Sequence, residues 1–145
     1  MYGIADIDIL LATASPAMAD EDYVFTTVRD LSRFDELQAV GAFREREAVT
    51  LICPRIRAES ASLPYDGIYR QITLTVHSSL EAVGFLAAVS TALADAGIPC
   101  NAVSAFYHDH IFVPAGQASR AMEVLSTLAA SRQSRRDSQG NSVAL

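Results

Sequence analysis

The segment Tyr69-Arg-Gln-Ile-Thr-Leu-Thr-Val-His-Ser-Ser-Leu-Glu-Ala-Val-Gly84 passes from one structural period to another within a few residues. Its first part alternates. Ile72, Leu74 and Val76 fall on one side, and Gln71, Thr73 and Thr75 on the other. That is the pattern of a half-buried strand. Ser78-Ser-Leu-Glu81 then has capping-box spacing. The Ser78 hydroxyl can accept from the Glu81 amide, and the Glu81 carboxylate can reach back to the Ser78 amide. The spacing predicts a helix from there, with Leu80, Val83, Leu86, Ala87, Ser90, Leu93 and Ala94 on one stripe. Gly97, followed by Ile98 and Pro99, predicts a left-handed C-terminal cap.

Downstream, residues 100–107 read as extended, His108-Asp109 as a turn, and Ile111-Phe-Val113 as a short apolar strand. Pro114 leads into a second helix with Ala118, Met122, Leu125 and Leu128 inward. The second half therefore reads β-α-β-β-α. Upstream, Pro64-Tyr-Asp-Gly67 is a turn signal and a natural seam.

Ahead of the seam lies a weaker copy of the same order. Ile7, Leu10 and Leu11 stand at helical spacing and predict a short amphipathic helix ending before Pro16. Tyr23-Val-Phe-Thr-Thr-Val-Arg29 reads as a strand. Residues 30–39 read as a loop or one helical turn. Ala48-Val-Thr-Leu-Ile-Cys53 reads as a strand stopped by Pro54, and residues 58–63 as a short helix. Spacing leaves open whether the strand at Tyr69 closes the first unit or opens the second. Two split β-α-β units, an antiparallel sheet with helices on one face, is the economical arrangement. It divides the chain into an incomplete first unit over 1–66, a second over 67–130, and a flexible tail over 131–145.

The composition narrows the function. The chain has 145 residues, 50% hydrophobic and 19% charged. That excludes a disordered coil, and a chain of this size can fold without disulfides or metal. The net charge is −6, and every basic residue is arginine. The tail holds three arginines and one aspartate, +2, which leaves −8 on the remainder. An acidic surface argues against nucleic acid and anionic membranes. The absent lysine excludes Schiff-base chemistry and a phosphate-loop lysine. Cys53 and Cys100 belong to no C-x-x-C pair and read as reduced thiols in a cytoplasmic protein. Residues 4–19 end in Ala-Met-Ala, but Asp6 and Asp8 interrupt the run and no basic residue precedes it, unlike a signal peptide. No stretch approaches the ~20 apolar residues of a membrane span.

Three segments together carry a family likeness. They are Arg44-Glu-Arg-Glu-Ala-Val-Thr-Leu-Ile52, Ile72 through Gly84, and Asn101 through Tyr107-His-Asp-His-Ile-Phe-Val-Pro114. With Tyr23-Val-Phe25 they resemble the small bacterial proteins built from two ACT-type units, over roughly residues 4–130. Ala48 stands where the family tends to have glycine. The resemblance implies an α+β fold of two ferredoxin-like βαββα units, a regulatory or sensing role, amino-acid-like ligands at unit interfaces, and homodimers formed by pairing of sheets.

The residues supply a matching chemistry. A free amino acid needs donors for its carboxylate and an acceptor for its ammonium group. The turn His77, Ser78, Ser79, Leu80 and Glu81 leads into a predicted helix N-terminus, whose amides can hold a carboxylate. An ordinary capped helix uses the same residues. Asp109, beside two histidines, can accept from an ammonium ion or simply stabilise a turn. Asn101 is a polar insertion early in a strand and is expected to face a pocket or interface. Arg44 and Arg46 would share one strand face and Glu45 and Glu47 the other, a solvated edge or a carboxylate grip.

These readings place an amino acid or related metabolite between the turn at His77–Glu81 and the region of Asn101 and Asp109. No cofactor, catalytic constellation or metal ligand set is expected. One alternative is a metal-binding protein or hydrolase using His77, His108 and His110, since His108 and His110 point the same way on an extended chain. Another is a structural interaction module with no small ligand.

Overall fold

The computed structural model describes residues 6–76 and 82–141, excluding the side chain of Asn141. Helix α1 (Ile7–Thr13) is capped by Asp6, whose carboxylate accepts from the Ile9 amide at 3.0 Å. It stops ahead of Pro16, as the sequence predicts. The strands are β1 (Pro16–Val28), β2 (Gly41–Arg44), β3 (Val49–Pro54), β4 (Tyr69–Leu74), β5 (Asn101–Ser104) and β6 (Asp109–Pro114). The remaining helices are α2 (Arg55–Ser60), α3 (Phe85–Asp95) and α4 (Ala118–Asn141), with short 3₁₀ turns at Leu31–Arg33 and Ala115–Gln117.

All six strands form one antiparallel sheet in the order β2-β3-β1-β4-β6-β5. β4 pairs with β1 on one side and β6 on the other, so the strand at Tyr69 serves both halves. β1 is longer than its sequence pattern predicts. Pro16–Met18 pair with β4, a bulge follows, Asp22 and Tyr23 pair with β4 again, and Tyr23–Val28 pair with β3. β1 changes partner at Tyr23, which pairs with both the start of β4 and the end of β3.

Strand alternation puts every helix on one face. Ile72, Leu74, Ile111 and Val113 meet Leu10, Leu11, Phe85, Val89, Leu93 and Leu125 in a core under α1, α3 and α4. Val24, Leu51 and Cys53 point the same way and meet Leu37 and Ala58. Although α1 lies within residues 1–66, its Leu10 and Leu11 are buried in the second half's core. Tyr23, Ile52 and Phe112 alternate to the opposite, bare face and pack with Phe25 and Tyr69.

Four local expectations are corrected. First, α3 begins at Phe85 and not after Ser78, and its buried stripe is Phe85, Val89 and Leu93. Gly84 at its start has φ 88°, a left-handed conformation that a continuing helix cannot hold. The helical phase therefore restarts there and leaves Val83 86% exposed. The capping box at Ser78–Glu81 lies outside the described residues.

Second, the hairpin turn is Ala105–His108, closed by the Ala105 amide on the His108 carbonyl at 3.0 Å, so Asp109 opens β6. Third, Arg44 ends β2 and Glu45–Ala48 turn through the same bond at 3.0 Å. Arg44 to Glu47 therefore do not alternate along one strand. Fourth, α4 runs through Asn141, so the arginine- and serine-rich segment from Ser131 is helical there rather than coil. Arg132 reaches Asp8 of α1 at 3.3 Å and ties this extension to the body.

The predicted cap at Gly97 is present. The Ile98 amide donates to Leu93 and the Gly97 amide to Ala94, both at 2.9 Å. α2 ends the same way on Ser62 (φ 54°), with Leu63 donating to Ala58. Its range lies three residues earlier than predicted and begins directly after Pro54, which is its N-cap.

Candidate functional site

Of the residues expected to bind a ligand, His77, Ser78, Ser79, Leu80 and Glu81 lie outside the described residues. Asn101 and Asp109 are described, and the sheet separates them. Asn101 pairs with Phe112 and shares its bare face, where its Nδ2 donates to the Phe112 carbonyl at 3.4 Å. Asp109 pairs with Leu74 on the helix side and is buried, with the Ser104 hydroxyl donating to its carboxylate at 2.6 Å. A strand's period of two puts positions eight apart, brought together in a hairpin, on faces that only the register decides. These two residues cannot line one pocket side by side.

The histidines also diverge. The His108 Nδ1 meets the Val76 carbonyl at 3.3 Å, so this nitrogen donates. The His110 Nδ1 sits 2.9 Å from the Thr73 hydroxyl and accepts from the Gln71 amide at 3.2 Å. Burial holds the His110 imidazole below its usual pKa, and nearby His108 adds to the effect against an opposing pull from Asp109. Among the described residues no three histidine, cysteine or acidic side chains gather as a metal would require.

The structure places an open cleft of about 640 Å³ elsewhere, in the first half. Thr27 and Val28 at the end of β1 form one wall. Arg29, Asp30, Ser32 and Arg33 continue from it, and Glu47 and Ala48 of the β2–β3 turn close the other side, with Leu63 nearby. Asp30 shapes the bend, since its carboxylate accepts from the Ser32 amide at 2.8 Å. Bonds from the Ser32 side chain and amide hold the Asp30 carboxyl below the usual carboxylate range. Arg33 is engaged by Glu36 at 3.1 Å, which raises the guanidinium and lowers the carboxyl. Among the described residues Arg29 and Glu47 make no ion pair. An arginine fork suits a carboxylate, and a free carboxylate suits an ammonium group.

The cleft occupies the place in the first half that the sequence singled out in the second. Val28 pairs with Val49 as Leu74 pairs with Asp109. Arg44 pairs with Val49 across one hairpin as Ser104 pairs with Asp109 across the other. Residues 29–35 thus follow β1 as residues 75–81 follow β4, and Glu47-Ala48 correspond to Tyr107-His108. The sequence signal was the Asp30-x-Ser32 bend directly after a strand, within a segment too polar to show a period.

Comparison with known proteins follows the same division. Residues 2–70 match a family model described as an ACT domain, and residues 67–127 match a second model with the same description. No curated protein matches the chain. A solved protein of unknown function from Vibrio cholerae, described as a possible transport protein, is 42% identical. The match covers 84% of this chain and 94% of that one, with a TM-score of 0.77. A protein from Agrobacterium tumefaciens is 17% identical over 79% of this chain and 87% of its own, with a TM-score of 0.66. The regulatory subunit of aspartate kinase from Thermus thermophilus is 9% identical over 81% and 98%, with a TM-score of 0.55, and shares the fold. Among the described residues no helix is long and apolar enough to cross a membrane.

Proposed function

Because this chain belongs to the ACT-domain family, we propose that it binds a free amino acid or closely related zwitterion and acts as a regulatory sensor with no chemical step of its own. ACT domains are typically small-molecule-binding regulatory modules. The observation that carries the reading here is the cleft in which Arg29 and Glu47, of opposite charge, both lack an ion-pair partner among the described residues. Arg29 takes the ligand carboxylate in bidentate fashion, and Glu47 takes the ammonium group. Val28, Ala48 and Leu63 supply apolar wall for the side chain.

The counterpart in the second half is His77–Glu81, which follows β4 as the cleft residues follow β1. Asp109, on the helix side at the start of β6, belongs to that second position. Asn101, on the other face, does not. A ligand changes the protein's state only as far as it prefers one conformation or assembly over another.

The test is a thermal-shift screen of the purified chain against the protein amino acids, followed by calorimetric titration of any that stabilise it. A ligand at a hundredfold its dissociation constant should add about 2.7 kcal/mol. Arg29→Gln and Glu47→Gln should each weaken binding at least tenfold while Asp109→Asn leaves this cleft's affinity unchanged. Silence across the panel, or binding that ignores both substitutions, overturns the proposal. A shift with divalent metal alone would favour a metal-binding role instead.

A further inference from the structure

The charged side chains lining the first-half cleft are Arg29, Asp30, Arg33 and Glu47, and they do not meet a ligand on equal terms. The Asp30 carboxylate is already engaged. It accepts from the Ser32 amide at 2.8 Å and from the Ser32 side chain, which turns it into its own bend. Arg29 and Glu47 have no ion-pair partner among the described residues. Arg33 is held, but from outside the cleft. Its Nη2 donates to Glu36 Oε1 at 3.1 Å and its Nε to Glu36 Oε2 at 3.4 Å, a fork on a carboxylate. Glu36 does not line the cleft. It borders a smaller pocket of about 130 Å³ beside α2, and Arg33 lines both spaces. The hold is weak. The two side chains are three residues apart and 37% and 65% exposed, and such a pair contributes little to stability. Glu36 returns to water when it is released.

With Asp30 engaged, the cleft offers a ligand two cations, Arg29 and Arg33, and one anion, Glu47. The complement is two carboxylates and one ammonium group. We propose that the ligand of this cleft is an acidic amino acid, of the aspartate or glutamate class, whose side-chain carboxylate displaces Glu36 from Arg33. The proposal rests on the reading of the cleft as an amino-acid site, with Arg29 on the α-carboxylate and Glu47 on the ammonium group, and adds what selects the side chain. The fork that Arg33 makes with Glu36 is the geometry that a ligand carboxylate takes. An uncharged side chain leaves Arg33 on Glu36, so no guanidinium is left unpaired and the preference for the acid is about tenfold rather than absolute. A basic side chain brings a further cation between Arg29 and Arg33 and is disfavoured by repulsion.

Calorimetric titration of the full chain with L-glutamate, L-glutamine, L-aspartate, L-asparagine and L-lysine tests it. At least one acid should bind about tenfold more tightly than its own amide, and lysine more weakly than either. Arg33→Gln should remove the preference by weakening the acid to the affinity of its amide, with the amide unchanged and circular dichroism native. Glu36→Gln loosens Arg33 from its resting partner and should tighten the acid about two- to threefold, again without effect on the amide. An acid that binds no more tightly than its amide, or an Arg33→Gln loss shared equally by acid and amide, overturns this proposal. The amino-acid site itself then still stands if Arg29→Gln weakens every ligand that binds. Binding confined to amino acids outside this set overturns the proposal alone, and binding of no amino acid overturns the site with it.

Discussion

Gly84 offers a measurement of how the N-terminal helix is seated. Its φ of 88° is left-handed, and a Cβ built there would lie 3.0 Å from Ile7 Cδ1 of α1. Gly97 has a similar φ of 74° but nothing within 4 Å of such a Cβ. Gly97→Ala therefore isolates the backbone cost, about 1 kcal/mol for an alanine in this region. Gly84→Ala adds displacement of Ile7 by a few tenths of an ångström, and we expect about 2 kcal/mol in all. Ile7→Val removes the touching atom and costs about 0.5–1 kcal/mol by itself.

The double variant should then be less destabilised than the sum, with a coupling of about 1 kcal/mol. Urea unfolding followed by far-ultraviolet circular dichroism, at one fixed protein concentration, reads these values. In a chain of this length 1 kcal/mol is about 3 °C in Tm. Additivity within ~0.3 kcal/mol would refute the contact. A Gly84→Ala cost no larger than that of Gly97→Ala would refute it as well, and with it the seating of α1 against the start of α3.

Two further outcomes follow from local geometry. Ser62 holds φ 54° at the end of α2, where glycine is at ease, so Ser62→Gly should leave stability unchanged or raise it by about 0.5 kcal/mol, and Ser62→Val should lower it by about 1 kcal/mol in the same urea assay. Burial depresses the His110 pKa below its ordinary 6.5, so the unfolded chain takes up the proton first as pH falls. The stability linked to His110 is present above that value and is lost as pH drops through the folded-state pKa. The urea midpoint should fall more steeply from pH 7 to pH 5.5 in the wild type than in His110→Gln, and parallel curves would contradict the assignment.

Elements with a clean period were legible in the sequence. The alternation of Ile72, Leu74 and Val76, the Gly97 cap, and the inward Ala118 and Leu125 all stand where pattern put them. The errors fell where a backbone conformation interrupts the period. Nothing in Ala82-Val-Gly84 announces that Gly84 is left-handed, so a helical stripe phased from Leu80 passes over the buried Phe85 and Val89. The turn before Asp109 falls two residues earlier than the sequence pattern predicts, because Phe106 and Tyr107 look like strand residues although they stand exposed at the hairpin tip.

The sequence by itself determined the class of architecture, a doubled α+β unit with helices on one face, because hydrophobic period and turn chemistry are local properties of the chain. It also determined the acidic character that disfavours nucleic acid. Register, partner exchange and face were decided only in three dimensions. β1 passes from β4 to β3 at Tyr23, and the hairpin register sends Asn101 to one side of the sheet and Asp109 to the other. Only assembly of β1 beside the β2–β3 turn brings Arg29 and Glu47 to one cleft. Contacts between residues so far apart depend on which strands pair, and pairing is a property of the whole sheet rather than of any segment.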